Sequence, residues 1–146
     1  MTALGQIRAL AATETGLCVV STTRPDGSSH ATVVNAGVLA HPTSGLDVVG
    51  FVVRGDARKL DHLRRTRRCA VTFRRSWSWA GVEGPLDIAG PDDVLEGLEG
   101  PAIAQLLRDV FIGAGGTHDD WDEYDRVMRG ERRAAVLVHP DRVSGR

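Results

Sequence analysis

A chain of 146 residues, 42% of them hydrophobic, is long enough for one domain with a continuous core and short for two. That apolar fraction excludes disorder as the default state. A formal net charge of −1 gives, by itself, no signal for a polyanionic partner.

Leu4, Ile7, Leu10 and Ala11 stand at helical spacing, which predicts an amphipathic helix over residues 2–13, ended by Gly16. Leu17 to Arg24 reads as a strand rich in Val, Thr and Ser. Pro25-Asp26-Gly27-Ser28 is a turn in which proline fixes φ and glycine accepts a positive φ. Ser29 to Leu39 resumes as a strand, so residues 17–39 form one antiparallel hairpin. After a second turn at His41-Pro42-Thr43-Ser44-Gly45, a third strand runs from Leu46 to Val53. Gly55-Asp56 breaks it, and Asp56 is placed to cap a helix over residues 57–65 that buries Leu60 and Leu63. Cys69 to Arg74 and Trp77 to Ala89 are the fourth and fifth strands, the fifth interrupted near Gly81 and Gly84. Gly90-Pro91-Asp92-Asp93 starts a helical region that Pro101 restarts, since proline suits a first turn. Ile103, Leu106, Leu107, Val110 and Phe111 then make an apolar helix face. A glycine link at 113–116, a polar helix over 118–129 and a last strand over 133–139, closed by Pro140, complete the chain. Five strands at hairpin spacing, a helix after the third and one C-terminal strand predict a mainly β barrel with short helices plugging its openings.

Charge is segregated. Between Arg54 and Arg75 stand nine bases and two acids, while acids gather at 83–99 and 119–125. This local field suits an anionic ligand or a solvated basic face. The informative window is Val52-Val53-Arg54-Gly55-Asp56-Ala57-Arg58-Lys59-Leu60-Asp61-His62-Leu63. A buried strand delivers the chain to a glycine turn, and the next helix opens with Arg58 and Lys59. Two cations oppose the dipole at that end unless an anion such as a phosphate neutralises them. Arg54, just upstream, is placed to clamp the same group.

At these residues the sequence resembles the flavin- and deazaflavin-binding split β-barrel superfamily that includes pyridoxamine 5′-phosphate oxidases. The resemblance is carried by the hairpin Gly16 to Asn35, the Arg54 to Leu63 window and the closing Arg133 to Val143 strand. The segment Trp121 to Arg133 looks like the actinobacterial members that use coenzyme F-420, an 8-hydroxy-5-deazaflavin. The resemblance implies a six-stranded split β-barrel in a single domain, like the FMN-binding proteins, acting as a homodimer. It implies an oxidoreductase in which reduced F-420 delivers hydride to a small unsaturated or quinone-like substrate. FMN is the alternative cofactor, in a reductase or oxidase of the same fold, and a carrier of flavin, deazaflavin or heme without turnover is the alternative role. Arg58 and Lys59 would hold the cofactor phosphate, with Arg54 close by and Ala57 and His62 beside them. Thr32, Val33, Val34 and Asn35 would run along the ring. Trp77 or Trp79 would come from the other subunit, and Arg129 from the C-terminal helix. His62 stands where family members often carry asparagine.

Other chemistries find less support. No Gly-x-Ser-x-Gly elbow, Walker A or GxGxxG loop is present. Cys18 and Cys69 show no CxxC or Cys/His spacing and read as buried thiols in a reducing compartment, with no metal. His118-Asp119-Asp120 and His139-Pro140-Asp141 lack metal-ligand spacing. No apolar run reaches the roughly 18 residues of a membrane span. Met1 to Arg8 lacks the layout of a secretory signal, so the expected location is cytoplasmic. Nucleic acid is not an expected partner: only Trp77 and Trp79 interleave with the bases, and the domain is not basic overall. The same two indoles also fit plain packing against a helix or across an interface. His30 is available as a proton donor or as a structural strand histidine, and the catalytic residues stay unassigned.

Overall fold

The computed structural model describes residues 3–145, so the expected helix start at residue 2 lies outside the described residues. In chain order the elements are α1 (Ala3–Thr13), β1 (Leu17–Thr23), β2 (Ser29–Ala40), β3 (Asp47–Val53), α2 (Arg58–Thr66), β4 (Arg68–Arg75) and β5 (Ser78–Ala89). Then follow α3 (Pro101–Gly113), α4 (Trp121–Gly130), β6 (Ala134–Val138) and β7 (Arg142–Gly145).

Six strands close a barrel in the order β1-β2-β3-β6-β5-β4, every neighbouring pair antiparallel. Closure depends on β5. Its residues 78–85 pair with β4 and its residues 86–89 pair with β6. β7 adds to β5 along Ala80–Glu83. Successive side chains point to opposite faces, and where both faces are covered the strand is apolar throughout. On β3, Val49, Phe51 and Val53 point into the barrel, while Val48 points out to the helices. On β6, Ala134, Val136 and Val138 point in, Ala135 and Leu137 point out, and all five are buried. Ile7 of α1 and Leu60 and Leu63 of α2 join the interior cluster. Leu106, Leu107 and Val110 of α3 and Tyr124 of α4 cover the outer face.

Three expectations need correction. No helix starts at Gly90: Gly90 and Asp93 exchange backbone hydrogen bonds as an isolated bridge, and positive φ at Gly97 and Gly100 prevents helix before Pro101. β5 runs without interruption through Gly81 and Gly84. The closing strand is two strands, β6 and β7, because Pro140 has no N–H to continue the ladder. Among the described residues no helix is long and apolar enough to cross a membrane.

One backbone contact places α3. A Cβ at Gly37 of β2 would stand 2.0 Å from the Gly113 carbonyl oxygen, so only glycine lets the end of α3 lie on the strand. Gly37→Ala is expected to destabilise the fold by about 1–3 kcal/mol through overpacking. Urea unfolding checks this, and an unchanged midpoint would show that α3 is free to move away.

Candidate functional site

The end of β3 and the start of α2 build one side of a groove. Val52, Val53 and Arg54 leave the barrel, the chain turns at Gly55, and Ala57 and Lys59 follow. A Cβ at Gly55 would stand 2.6 Å from the Arg132 carbonyl oxygen, and the Gly55 N–H donates to the Glu131 carbonyl oxygen at 3.1 Å. The turn is therefore pinned to the chain leaving α4. In the β3–β6 register Val53 faces Ala134, so the residues just beyond the pair, Arg54 and Arg133, come together. The groove encloses about 510 Å³ between Val33, Val34 and Asn35 of β2, Val110 and Phe111 of α3, and α4.

The charges of the groove form a small network. The Glu131 carboxylate accepts from Arg133 Nη2 at 3.2 Å and pairs with Arg54 Nη1 at 3.5 Å. Arg54 Nε also donates to Asp56 at 3.2 Å. Lys59 lines the same groove without a carboxylate partner among the described residues, and burial pulls its ammonium below the usual lysine value. Arg133 Nε is buried without a hydrogen-bond partner. Three cations thus face one lining carboxylate, Glu131, and one buried donor stands unused, which is an anion-receptive arrangement. The start of α2 adds to it. The cap position is Ala57 rather than Asp56, and no side chain caps the helix. Asp56 instead turns back to Arg54, so the first turn keeps its positive end toward the groove residues Ala57 and Lys59.

The rest of the groove is apolar and partly uncovered. Val33 is 62% exposed. Asn35 donates its amide nitrogen to the Thr15 carbonyl oxygen at 2.8 Å, which leaves its side-chain oxygen as an acceptor at the rim. Tyr124 spends its hydroxyl on the Leu107 carbonyl oxygen at 2.9 Å and serves as a wall.

Of the residues singled out in the sequence, the structure brings Val33, Val34, Asn35, Arg54, Ala57 and Lys59 into this one groove. Thr32 lies on β2 outside the lining, with its hydroxyl buried and unpartnered. Arg58 is exposed and outside the lining. His62 is not among the lining residues and packs edge-on against His30, ring centroids 5.5 Å apart. Loss of hydration first, and then the neighbouring cations, hold the His30 ring below the usual histidine value. Trp77 and Trp79 line a separate cleft with Thr72, Arg74 and Ser76. Arg129 faces another pocket on the far side of α4. Glu131, Arg133, Val110 and Phe111 were not singled out. Their signal exists only once β6 is known to pair with β3 and α3 to lie on β2.

The basic run is largely spent on structure. Arg64 holds Asp93 through two hydrogen bonds of 2.9 and 2.7 Å, Arg68 pairs with Asp141 at 3.5 Å, and Arg74 donates to the Ser76 carbonyl oxygen at 3.0 Å. Cys18 and Cys69 are free and buried, and burial pushes both thiols up to about 12.

A second titratable cluster lies at the other end of β3. His41 and His139 each place Nε2 2.9 Å from one oxygen of Asp87. The backbone N–H groups of Thr43 and Ser44 donate to His41 Nδ1 at 3.2 Å, so the ring proton sits on Nε2 and is given to Asp87. A metal at this trio would have to displace that proton, and the trio reads as a clamp between the β2–β3 turn and the barrel.

No family model matches the chain. Several solved structures share its fold. A pyridoxamine 5′-phosphate oxidase-related, FMN-binding protein from Nostoc punctiforme superposes with a TM-score of 0.67 at 16% identity, over 98% of this chain and 78% of that one. A structure described as an F420 reductase superposes with a TM-score of 0.59 at 16% identity, over 88% of both chains. A heme-binding protein from Mycobacterium smegmatis gives 0.67 at 16% identity, over 100% of this chain and 54% of that one. The fold is therefore that of the pyridoxamine 5′-phosphate oxidase-like split barrels, as the resemblance implied.

Glu131→Gln makes the groove one charge more positive and removes the carboxylate that Arg54 and Arg133 share, while Arg54 keeps its pairing with Asp56. Pyrophosphate affinity, measured by calorimetry, is expected to rise by about 1 kcal/mol, roughly fivefold. A fall in affinity would show that Glu131 is needed to hold Arg54 and Arg133 in place.

Proposed function

We propose that the protein is an oxidoreductase that binds a deazaflavin of the F-420 type in this groove and uses its reduced form to deliver hydride to a small unsaturated or quinone-like substrate. The observation that carries the reading is the union, in one groove, of Arg54, Lys59 and Arg133 with an apolar lining of Val33, Val110 and Phe111, of which Val33 lies open. A flat ring with a phosphate tail matches those two ends. Arg133 Nε, buried without a partner, supports an anion at the cationic end.

The residues have distinct tasks in this reading. Lys59, Arg54 and Arg133 hold the phosphate by charge-assisted hydrogen bonds. Val33, Val34, Val110 and Phe111 cover the ring and keep water from it. Asn35 accepts a hydrogen bond from the ring edge through its free side-chain oxygen. The cofactor, when bound, supplies the hydride chemistry, and the protein supplies placement and field.

FMN is the second reading, supported by the FMN-binding neighbour and by the same pairing of ring and phosphate. Heme fits the groove less well. Its lining contains no histidine or cysteine, the residues that hold most heme irons, and Tyr124 has given its hydroxyl to Leu107.

A homodimer belongs to the proposal. Val33 pairs with Val19 and Val19 pairs with Thr72, which carries an outward stripe from the groove to the Trp77–Trp79 cleft. Val33, Val19 and Leu17 are exposed apolar residues on this side, and Trp77 is 91% exposed. A partner subunit covering the stripe would bury them and bring one of its own tryptophans to the groove. Sedimentation equilibrium at micromolar concentration is expected to give a dimer, and a monomer would remove the tryptophans from the site.

Parallel fluorescence titrations with F-420 and FMN test the cofactor. Tighter binding of F-420 is expected; preference for FMN would move the protein to the flavin branch, and binding of neither would overturn the proposal. Lys59→Ala is expected to weaken binding by about 1.5–3 kcal/mol, roughly ten- to a hundredfold. Only the ammonium form pairs with phosphate, so affinity holds at neutral pH and falls as pH rises through the lowered Lys59 value. That alkaline loss is absent in Lys59→Ala.

A further inference from the structure

Arg129 directs attention to the far side of α4. There, α3, α4 and the segment before α3 enclose a pocket of about 590 Å³, within the range of small-molecule sites. Pro91, Pro101, Ile103, Ala104, Leu107 and Met128 give it apolar walls.

The charged groups around it are nearly all matched. Asp125, the acid in its lining, is held by Arg108 through two hydrogen bonds of 3.0 and 2.5 Å. Arg132 is held by both oxygens of Asp92, and Arg133 by Glu131. Arg129 lines the same pocket and is exposed; Asp125, one turn earlier, feels its charge, but that carboxylate spends both oxygens on Arg108, and no hydrogen bond or ion pair to Arg129 is formed among the described residues. The α3 end that opens here, at Gly100 and Pro101, is also the positive end of its dipole. The result is an apolar hollow with one surplus cation at its mouth.

We propose that this pocket binds a small organic carboxylate with an apolar body, its carboxylate on Arg129 and its body between Ile103, Ala104, Leu107 and Met128. The pocket is separate from the cofactor groove and does not depend on what the groove binds. Met128 and Arg133 line both spaces. An occupant therefore packs against the far side of a wall of the groove, which makes the pocket suited to a substrate fragment or an effector.

The test uses 1-naphthoate as the probe and its uncharged amide, 1-naphthamide, as the control, with binding read by titration calorimetry on the full chain. Naphthoate is expected to bind about tenfold or more tightly than the amide, the size of a charge-assisted contact. Arg129→Gln is expected to remove that difference. Ala104→Trp, which fills the hollow, is expected to abolish binding of both, whereas Lys59→Ala in the groove should leave both unchanged. Equal affinities for acid and amide would overturn the proposal, as would loss on Lys59→Ala in place of Arg129→Gln, or no binding at millimolar naphthoate. Should Ala104→Trp fail to fold, backbone amide shifts on the unaltered protein decide. Shifts gathered over residues 100–107 and 125–133 support the pocket, and shifts elsewhere overturn it.

Discussion

The barrel depends on one strand serving two neighbours in succession. β5 leaves its hairpin paired with β4 and continues far enough for residues 86–89 to pair with β6. Because β6 pairs with β3, this single handover closes the ring and leaves each of the six strands with a partner on both sides. It also places a C-terminal strand between two strands from the middle of the chain. The turn after β3 then meets the turn before β6, and Arg54 meets Glu131 and Arg133. The groove is thus a consequence of closure.

Charge follows the same geometry. In the sequence, arginines crowd one stretch and acids another, as though the chain carried two opposed faces. Folding interleaves them. Arg64 takes Asp93, Arg68 takes Asp141 and Arg132 takes Asp92, each across a wide gap in sequence. Such partly exposed pairs contribute little stability apiece. Their consequence is to cancel much of the field. Of the cations left without an ion pair, Arg58, Arg67 and Arg75 are exposed, whereas Lys59 lines the groove and Arg129 the pocket behind α4.

Helix α4 stands between these two spaces. Its Tyr124 is buried and tied to α3 through Leu107, which fixes the helix as a partition. Met128 is half-buried and shows a surface to each side. Arg133 follows the helix and does the same, held by Glu131 on the groove side. A flexible thioether and a tethered guanidinium form a thin wall, so occupancy on one side alters the contacts available on the other.

By itself the sequence determined what local physics can determine. Runs rich in β-branched and apolar residues, set between turns, gave the first five strands, turn residues gave the β1–β2 and β2–β3 connections, and Leu60 and Leu63 gave the buried side of α2. The Arg54 to Lys59 window was legible as a cationic turn because a strand end, a glycine turn and a helix start are adjacent in the chain. Asp56 was misread as a cap, since its pairing with Arg54 competes with capping and only side-chain placement decides between them. The helical reading at Gly90 failed because the turns at Gly97 and Gly100 break the helical period. Tertiary structure alone decided the rest. It brought Glu131, Arg133, Val110 and Phe111 to the groove, sent Arg58, His62 and Arg129 elsewhere, and joined His41 to His139 through Asp87. These pairings span tens of residues, and they are fixed by strand register and by helix–sheet packing, neither of which is written in the spacing of neighbouring side chains.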